Sequence, residues 1–345
     1  WPHPFLLTAA MEVTPLPPAH GTAEVRHMAD GELRRSGAAT QVRVAGKSLE
    51  VVHAEYGDAE DFTMESWLFE EDFTIAVATG FTRVWPGAAA LVRGLSDPED
   101  SLRHAIATAA VCRSSGLARC VELGAGCGLV GLAVAASCPA HVLLTDMAPV
   151  VDGVLARNLR LNASADAADA GAGVAAAAPW HGAVQVGAGS AAAAVLDWTR
   201  PVSSQLGDAA ASRPDVLIAA ECVWLAELVE PFAATASALL QQPKRRGAGP
   251  APVLFMASRE RGGPESKSFA SVGAALAALA ARGCGDATLL AQHMPRRDAD
   301  DDEEGLLYVY AVRADATSVD AECCDGSCPS GESDRYDHCT DGEAT

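Results

Sequence analysis

From Leu117 onward the chain repeats one pattern, in which short apolar runs are each followed by a segment with helical apolar spacing. The runs are Ala118 to Leu123, Val142 to Thr145, Ala193 to Leu196, Val216 to Ala219, Val253 to Ala257 and Leu306 to Val312. A strand with one wet face alternates polar and apolar residues, whereas a run that is apolar throughout needs cover on both faces. Leu129 to Ala136, Val150 to Leu161, Leu225 to Leu240 and Phe269 to Ala281 have the spacing of covering helices. This predicts a doubly wound α/β domain on a mostly parallel sheet. At 345 residues and 49% hydrophobic content the chain can bury such a core and still carry decorations.

The flanks read differently. Residues 1–40 are rich in Pro, Gly and polar side chains, and read as a flexible N-terminal segment. Residues 41–98 read as an extension to the main domain. They hold a β-hairpin over 41–56 turning around Gly46-Lys47, an extended piece over 73–79, and a helix through Ala88, Leu91, Val92 and Leu95. The α/β domain takes 99–313, with loop insertions at 163–192 (mostly Ala, Gly and Ser) and 242–251. Residues 314–345 are acidic and read as a disordered tail.

Acidic residues number 45 against 25 basic ones, a formal net charge of -20. A nucleic-acid binder needs a basic footprint, and the longest basic cluster is Lys244-Arg245-Arg246 in a loop. An acidic surface instead suits a neutral small molecule or a basic protein. Cys112, Cys120, Cys127, Cys138, Cys222 and Cys284 lie in or beside apolar runs, as reduced thiols do, so the expected compartment is cytoplasmic, with the nucleus also open. No run of roughly eighteen apolar residues suggests a membrane span. Trp1-Pro2-His3-Pro4 lacks the basic region of a secretory signal, and Met11 is a candidate start. Cys323, Cys324, Cys328, His338 and Cys339 in the tail match no compact zinc site, so no metal is expected. No heptad pattern suggests an oligomer, and a monomer is the default expectation.

Chemistry concentrates where the first strand ends, at Glu122-Leu123-Gly124-Ala125-Gly126-Cys127-Gly128. Glycines there let the backbone turn tightly and approach a ligand, and the helix that follows opens with unpaired N–H groups. A phosphate-binding P-loop would end in Gly-Lys-Ser/Thr, and this loop does not. A dinucleotide fingerprint would need a glycine at position 129, which is Leu. Asp146 ends the second strand about twenty residues after Gly124, the spacing at which a carboxylate grips ribose hydroxyls.

These residues resemble a known family. Val121 to Leu129 is similar to the cofactor loop of the seven-β-strand methyltransferases, and most of all to the protein-lysine methyltransferases of family 16, of the methyltransferase-like 21 type. Gly80-Phe81-Thr82-Arg83-Val84-Trp85-Pro86-Gly87-Ala88 resembles the family's entry segment, and Leu196-Asp197-Trp198 its Leu-x-Trp. Asp215 to Trp224 resembles its fourth strand and the motif after it, and Ser258-Arg259-Glu260-Arg261 its polar stretch after the fifth. The likeness runs over about residues 75–313. It implies a Rossmann-like fold with a seven-stranded sheet, S-adenosylmethionine as cofactor, and a protein substrate presenting a lysine.

The resemblance also implies roles. Glu122, Gly124 and Gly126 would line the methionine half of the cofactor, and Asp146 would hold the ribose. Trp198 would border the adenine with Asp197 near its amine, Trp85 would close the pocket, and Ala220 would sit near the methyl group. The family usually carries Asp-x-x-Tyr after the fourth strand. Here Glu221-Cys222-Val223-Trp224 stands in that register, so the acid is one methylene longer and the phenol becomes an indole. Glu221 would orient the amine or accept a proton, and Trp224 would wall the substrate channel, making these two the catalytic candidates. Each has a plainer reading, Glu221 as a helix N-terminal acid and Trp224, Trp85 and Trp198 as packing aromatics. Two alternatives remain beside lysine methylation: a small-molecule N-methyltransferase and a non-catalytic interaction module on the same fold.

Overall fold

The computed structural model describes residues 28–36, 39–53, 83–164, 182–206, 213–241, 250–261, 266–293 and 306–315. An antiparallel three-stranded sheet comes first, made of β1 (Leu33–Ser36), β2 (Ala39–Val44) and β3 (Lys47–Val52) in that order. Val44 pairs with Lys47, so the turn is Ala45-Gly46, both at positive φ (48° and 74°). That is the backbone a two-residue hairpin requires, and it lies one residue before the expected turn. Strand β1 was not expected, because it falls in the stretch read as flexible. Its side chains are mostly exposed, so it carries no apolar signal. The extended piece expected at 73–79 lies outside the described residues, as does the tail beyond 315.

Two helices follow, α1 (Pro86–Gly94) and α2 (Ser101–Val111). The main sheet then begins with β4 (Ala118–Leu123), followed by α3 (Leu129–Ser137) and β5 (Ala140–Asp146). Helix α4 covers 148–162 in pieces: a first turn at Ala148–Val150, a widened turn at Val151–Leu155, and a regular run at Ala156–Asn162. After it come β6 (Val184–Gln185), β7 (Ser190–Val195), α5 (Val202–Leu206), β8 (Val216–Ala220) and α6 (Val229–Leu240). The described residues end with β9 (Val253–Arg259), α7 (Val272–Ala280), β10 (Asp286–His293) and β11 (Leu307–Arg313).

Among the described residues the main sheet has eight strands in the order β10-β11-β9-β8-β4-β5-β7-β6. Strands β7, β5, β4, β8 and β9 run parallel, and β6, β10 and β11 pair antiparallel to their neighbours. The expected doubly wound, mostly parallel α/β fold is therefore present, with a two-residue β6 at one edge. Strand β7 starts inside the stretch read as an insertion, because a run of Ala carries little strand signal. Strand β10 was missed because it lies at the sheet edge with its side chains exposed apart from a half-buried Ala291. Among the described residues no helix is long and apolar enough to cross a membrane.

Strand alternation divides the core into two layers. Cys120, Val216 and Ile218 face one side with α1 to α4 and the three-stranded sheet, through Val42, Val44, Leu49 and Val51. Val121, Leu123, Leu217 and Ala219 face the other, with α5 to α7. The sequence of crossovers reverses at β4: β5 and β7 build outward on one side of it, β8 and β9 on the other. A crevice opens at the carboxyl ends of the strands where that reversal occurs.

Phe232 on α6 ties the second layer to the crevice. It is fully buried and meets the Trp198 ring edge-on, with centroids 5.5 Å apart. Phe232→Ala is expected to cost about 3–5 kcal/mol, read as a fall in the urea midpoint at unchanged slope.

Candidate functional site

The crevice holds a cavity of about 420 Å³. Trp85, Glu122, Gly124, Gly126, Asp146, Asp197, Trp198, Ala220, Glu221 and Trp224 all line it. Residues far apart in the chain thus meet at one place because their strands end together.

The glycine loop is set by steric contact as much as by φ. Gly124 has φ +63°, and a Cβ there would lie 2.6 Å from Cys222 Cβ and 3.3 Å from the Trp198 ring. No other residue fits between those walls. Gly131, one turn into α3, leaves room beneath it for the Glu122 carboxyl. A Cβ there would meet Glu122 Oε2 at 2.6 Å and Leu144 Cδ2 at 2.1 Å. The Gly131 N–H donates to Glu122 Oε2 at 2.9 Å.

Asp146 closes the loop from the neighbouring strand. Its Oδ2 accepts from Gly126 N at 2.8 Å and its Oδ1 from Met147 N at 2.8 Å. Burial nevertheless pushes its carboxyl up to about 6. Burial, with the nearby Asp146 charge, pushes Glu122 to about 8 despite the Gly131 bond. The two acids stand close enough for the charge of one to be felt by the other at the start of α3.

Asp197 accepts from Thr199 N at 2.8 Å and Thr199 Oγ1 at 2.7 Å, and Gln205 holds its backbone N–H at 2.8 Å. The Asp197-Trp198 turn is therefore fixed before anything binds. Trp224 lines the cavity half-buried, its ring 6.3 Å from that of Phe269 and tilted by 35°. The segment carrying Phe269 pairs with the one after β8: Ala226 N donates to Ser268 O and Ala270 N to Trp224 O. Glu227, exposed, also lines the cavity.

Glu221 is engaged in a way the sequence did not suggest. It has φ +53°, rare for a residue with a side chain, at the end of β8. Its carboxylate is 1% exposed. Oε1 takes Arg261 Nη2 at 2.8 Å and Arg259 Nε at 3.3 Å, while Oε2 accepts the Gly87 N–H at the start of α1. Arg261 continues onto Trp85, with its guanidinium 4.8 Å from the ring centroid, and Arg83 lies over the same ring at 3.9 Å. The reading of Glu221 as an acid at a helix start is half met, but the helix is α1, distant in sequence. A proton-accepting role is at odds with a carboxylate whose two oxygens are already engaged.

Several site residues were not picked out from the sequence. Arg83, Met147 and Glu227 line the cavity, and Arg259 and Arg261 stand behind Glu221. Arginines directly after an apolar strand were the available signal, since a buried strand end rarely carries two charges without an acid to meet them. Cys222 and Cys127 are thiols held protonated by burial, Cys127 pushed up to about 12, so neither serves as a nucleophile. Cys120, Cys138 and Cys284 are buried as expected, but Cys112 is exposed. Among the described residues no group of His, Cys, Asp or Glu is arranged to hold a metal ion, and the tail cysteines lie outside them.

A family match supports an S-adenosylmethionine-dependent methyltransferase. Residues 69–176 match the family described as lysine methyltransferase, which supports a methyltransferase of family 16. No curated protein matches it. Similar solved structures include EvdMO1 at 17% identity, covering 66% of this chain and 41% of that one, with TM-score 0.36. A 16S rRNA methyltransferase of T. Thermophilus, in complex with AdoMet and guanosine, is 15% identical, with coverage of 80% and 50% and TM-score 0.39. The mitomycin 7-O-methyltransferase MmcR is 13% identical, with coverage of 66% and 58% and TM-score 0.34. The chain thus spans less than two thirds of each of these chains. These likenesses are loose and assign no residue a role.

Because the Glu122 carboxyl is raised from 4.5 to about 8, its stabilising contribution is complete below pH 4.5 and disappears as pH rises toward 8. Glu122→Gln keeps a neutral acceptor under Gly131. The thermal midpoint of the variant should therefore gain on that of the unaltered chain across this window. Parallel curves would mean that Glu122 is ionised throughout.

Proposed function

We propose that this methyltransferase acts on the side-chain amine of a lysine in a protein. The observation that carries the reading is the aromatic pair formed by Trp224, which lines the cavity, and Phe269, with the carboxylate of Glu227 also in the lining. The family match points the same way. An indole face attracts an ammonium, and an adjacent carboxylate adds to the attraction. Farther in, apolar walls penalise the charged form, so the amine gives up its proton to water at the entrance before it reaches the reaction centre. A net charge of -20 suits a basic protein partner and repels nucleic acid. One monomer supplies every residue named.

The cofactor brings an electrophilic methyl group on sulfur, and the chain aligns a nucleophile with it and keeps water away. In this reading Glu122, Gly124 and Gly126 line the methionine half, and Asp146 accepts from the ribose hydroxyls. Trp198, with Asp197 beside it, borders the adenine, and Ala220 flanks the methyl. Glu221 holds the wall in place: it fixes the start of α1 and, through Arg261, the Trp85 ring. Trp224 is the residue that touches the amine.

Three measurements follow from this assignment. Labelled S-adenosylmethionine incubated with cell extract should mark protein, with the label recovered on lysine after hydrolysis. Label in the small-molecule fraction would instead indicate a small-molecule enzyme, and cofactor binding without any transfer an interaction module. Trp224→Ala should slow transfer by about 100-fold while cofactor affinity hardly changes, and equal loss of both would make Trp224 a packing residue. Since Asp146 must be ionised to accept two hydroxyls, cofactor affinity should fall as pH drops below about 6, and Asp146→Asn should remove that dependence along with most of the affinity.

A further inference from the structure

Asn158, in the regular part of α4, is fully buried. Its Oδ1 accepts from Val52 N at 2.9 Å, and its Nδ2 donates to Val52 O at 3.1 Å and to Cys127 O at 2.8 Å. Both amide hydrogens and the oxygen are thereby used. Val52 ends β3, the edge of the N-terminal sheet, and Cys127 belongs to the glycine loop and lines the cofactor cavity. One side chain therefore joins the N-terminal sheet to the cofactor loop.

Asn162, one turn on, makes the same exchange with Glu50, through Glu50 N at 3.0 Å and Glu50 O at 2.7 Å. Its remaining amide hydrogen goes to Asn158 O at 2.8 Å, within its own helix. Four helical residues rise about 6 Å and two strand residues about 6.6 Å, so the two amides run in step with β3. Only Asn158 reaches the loop. The widened turn before it, where Ala156 N bonds Val151 O, shifts the register of the face that follows.

We propose that Asn158 is a positioning residue for the cofactor loop, and that through it the N-terminal sheet acts on cofactor affinity. It fixes the Cys127 carbonyl, and the adjoining Gly126 N–H is the donor held by Asp146. A ligand that requires this loop geometry must in turn favour the Asn158–Val52 pairing, because coupling between two sites is reciprocal.

Asn162 provides the comparison. Asn158→Ala and Asn162→Ala both remove a two-bond tie to β3 and should both lower the thermal midpoint. Titration calorimetry with S-adenosylmethionine and its demethylated product, at a temperature where circular dichroism shows each variant folded, should give a Kd raised about tenfold for Asn158→Ala and unchanged for Asn162→Ala. Equal changes, or none, would overturn the proposal. If Asn158→Ala does not fold, hydrogen exchange on the unaltered chain decides. Cofactor should slow exchange of the Val52 amide more than that of the Glu50 amide, and an equal effect on both would overturn it. Failure of the unaltered chain to bind either compound would remove the cofactor assignment and the proposal together.

Discussion

The site depends on the reversal of strand order at β4. A parallel strand buried on both faces must send its chain through a helix before it returns, and the hand of that crossover is fixed. Building outward in both directions from β4 therefore places the helices of one direction on the opposite face from those of the other, and the strand ends between them are left uncovered. Glu122, Asp146, Asp197 and Glu221 all stand at or just past such ends. An edge of a flat, singly wound sheet would have put these acids in water.

Within that crevice, close packing substitutes for side-chain bulk. The loop from Gly124 passes between Cys222 and Trp198 with no space for a Cβ, and Trp198 is braced by Phe232 from the opposite layer. On the other side Glu221 adopts a backbone conformation that costs energy and is retained by two arginines and the Gly87 N–H. A buried acid and two guanidiniums are expensive to desolvate, and their return is definition of geometry. The Trp85 wall cannot drift while Arg83 and Arg261 lie against it.

Much of this was readable in the residues. The apolar runs at β4, β5, β8, β9 and β11 announced a sheet covered on both faces, and the glycine loop with Asp146 announced its ligand end. What escaped had a physical reason. Strands β1 and β10 are edge strands with mostly wet side chains, so neither alternation nor a continuous apolar run marks them. Strand β7 is built of Ser and Ala, which fill a close-packed position without advertising a strand. Glu221 was legible as a site residue but not as a clamp, because its partners Gly87, Arg259 and Arg261 are distant in sequence. Asn158 carried no signal at all, since an Asn within an apolar helix looks like a weak helix former until its partner strand is known.

The paired amides on α4 also bear on how the chain behaves in a crowded solution. Strand β3 is an outer strand, and an unpaired edge of that kind is a template on which another polypeptide can add itself. Asn158 and Asn162 occupy the N–H and C=O groups of Val52 and Glu50 as a further strand would, but from a helix that cannot be extended sideways. That border of the small sheet is thereby finished within its own molecule, and what would have been a sticky edge becomes an interior seam.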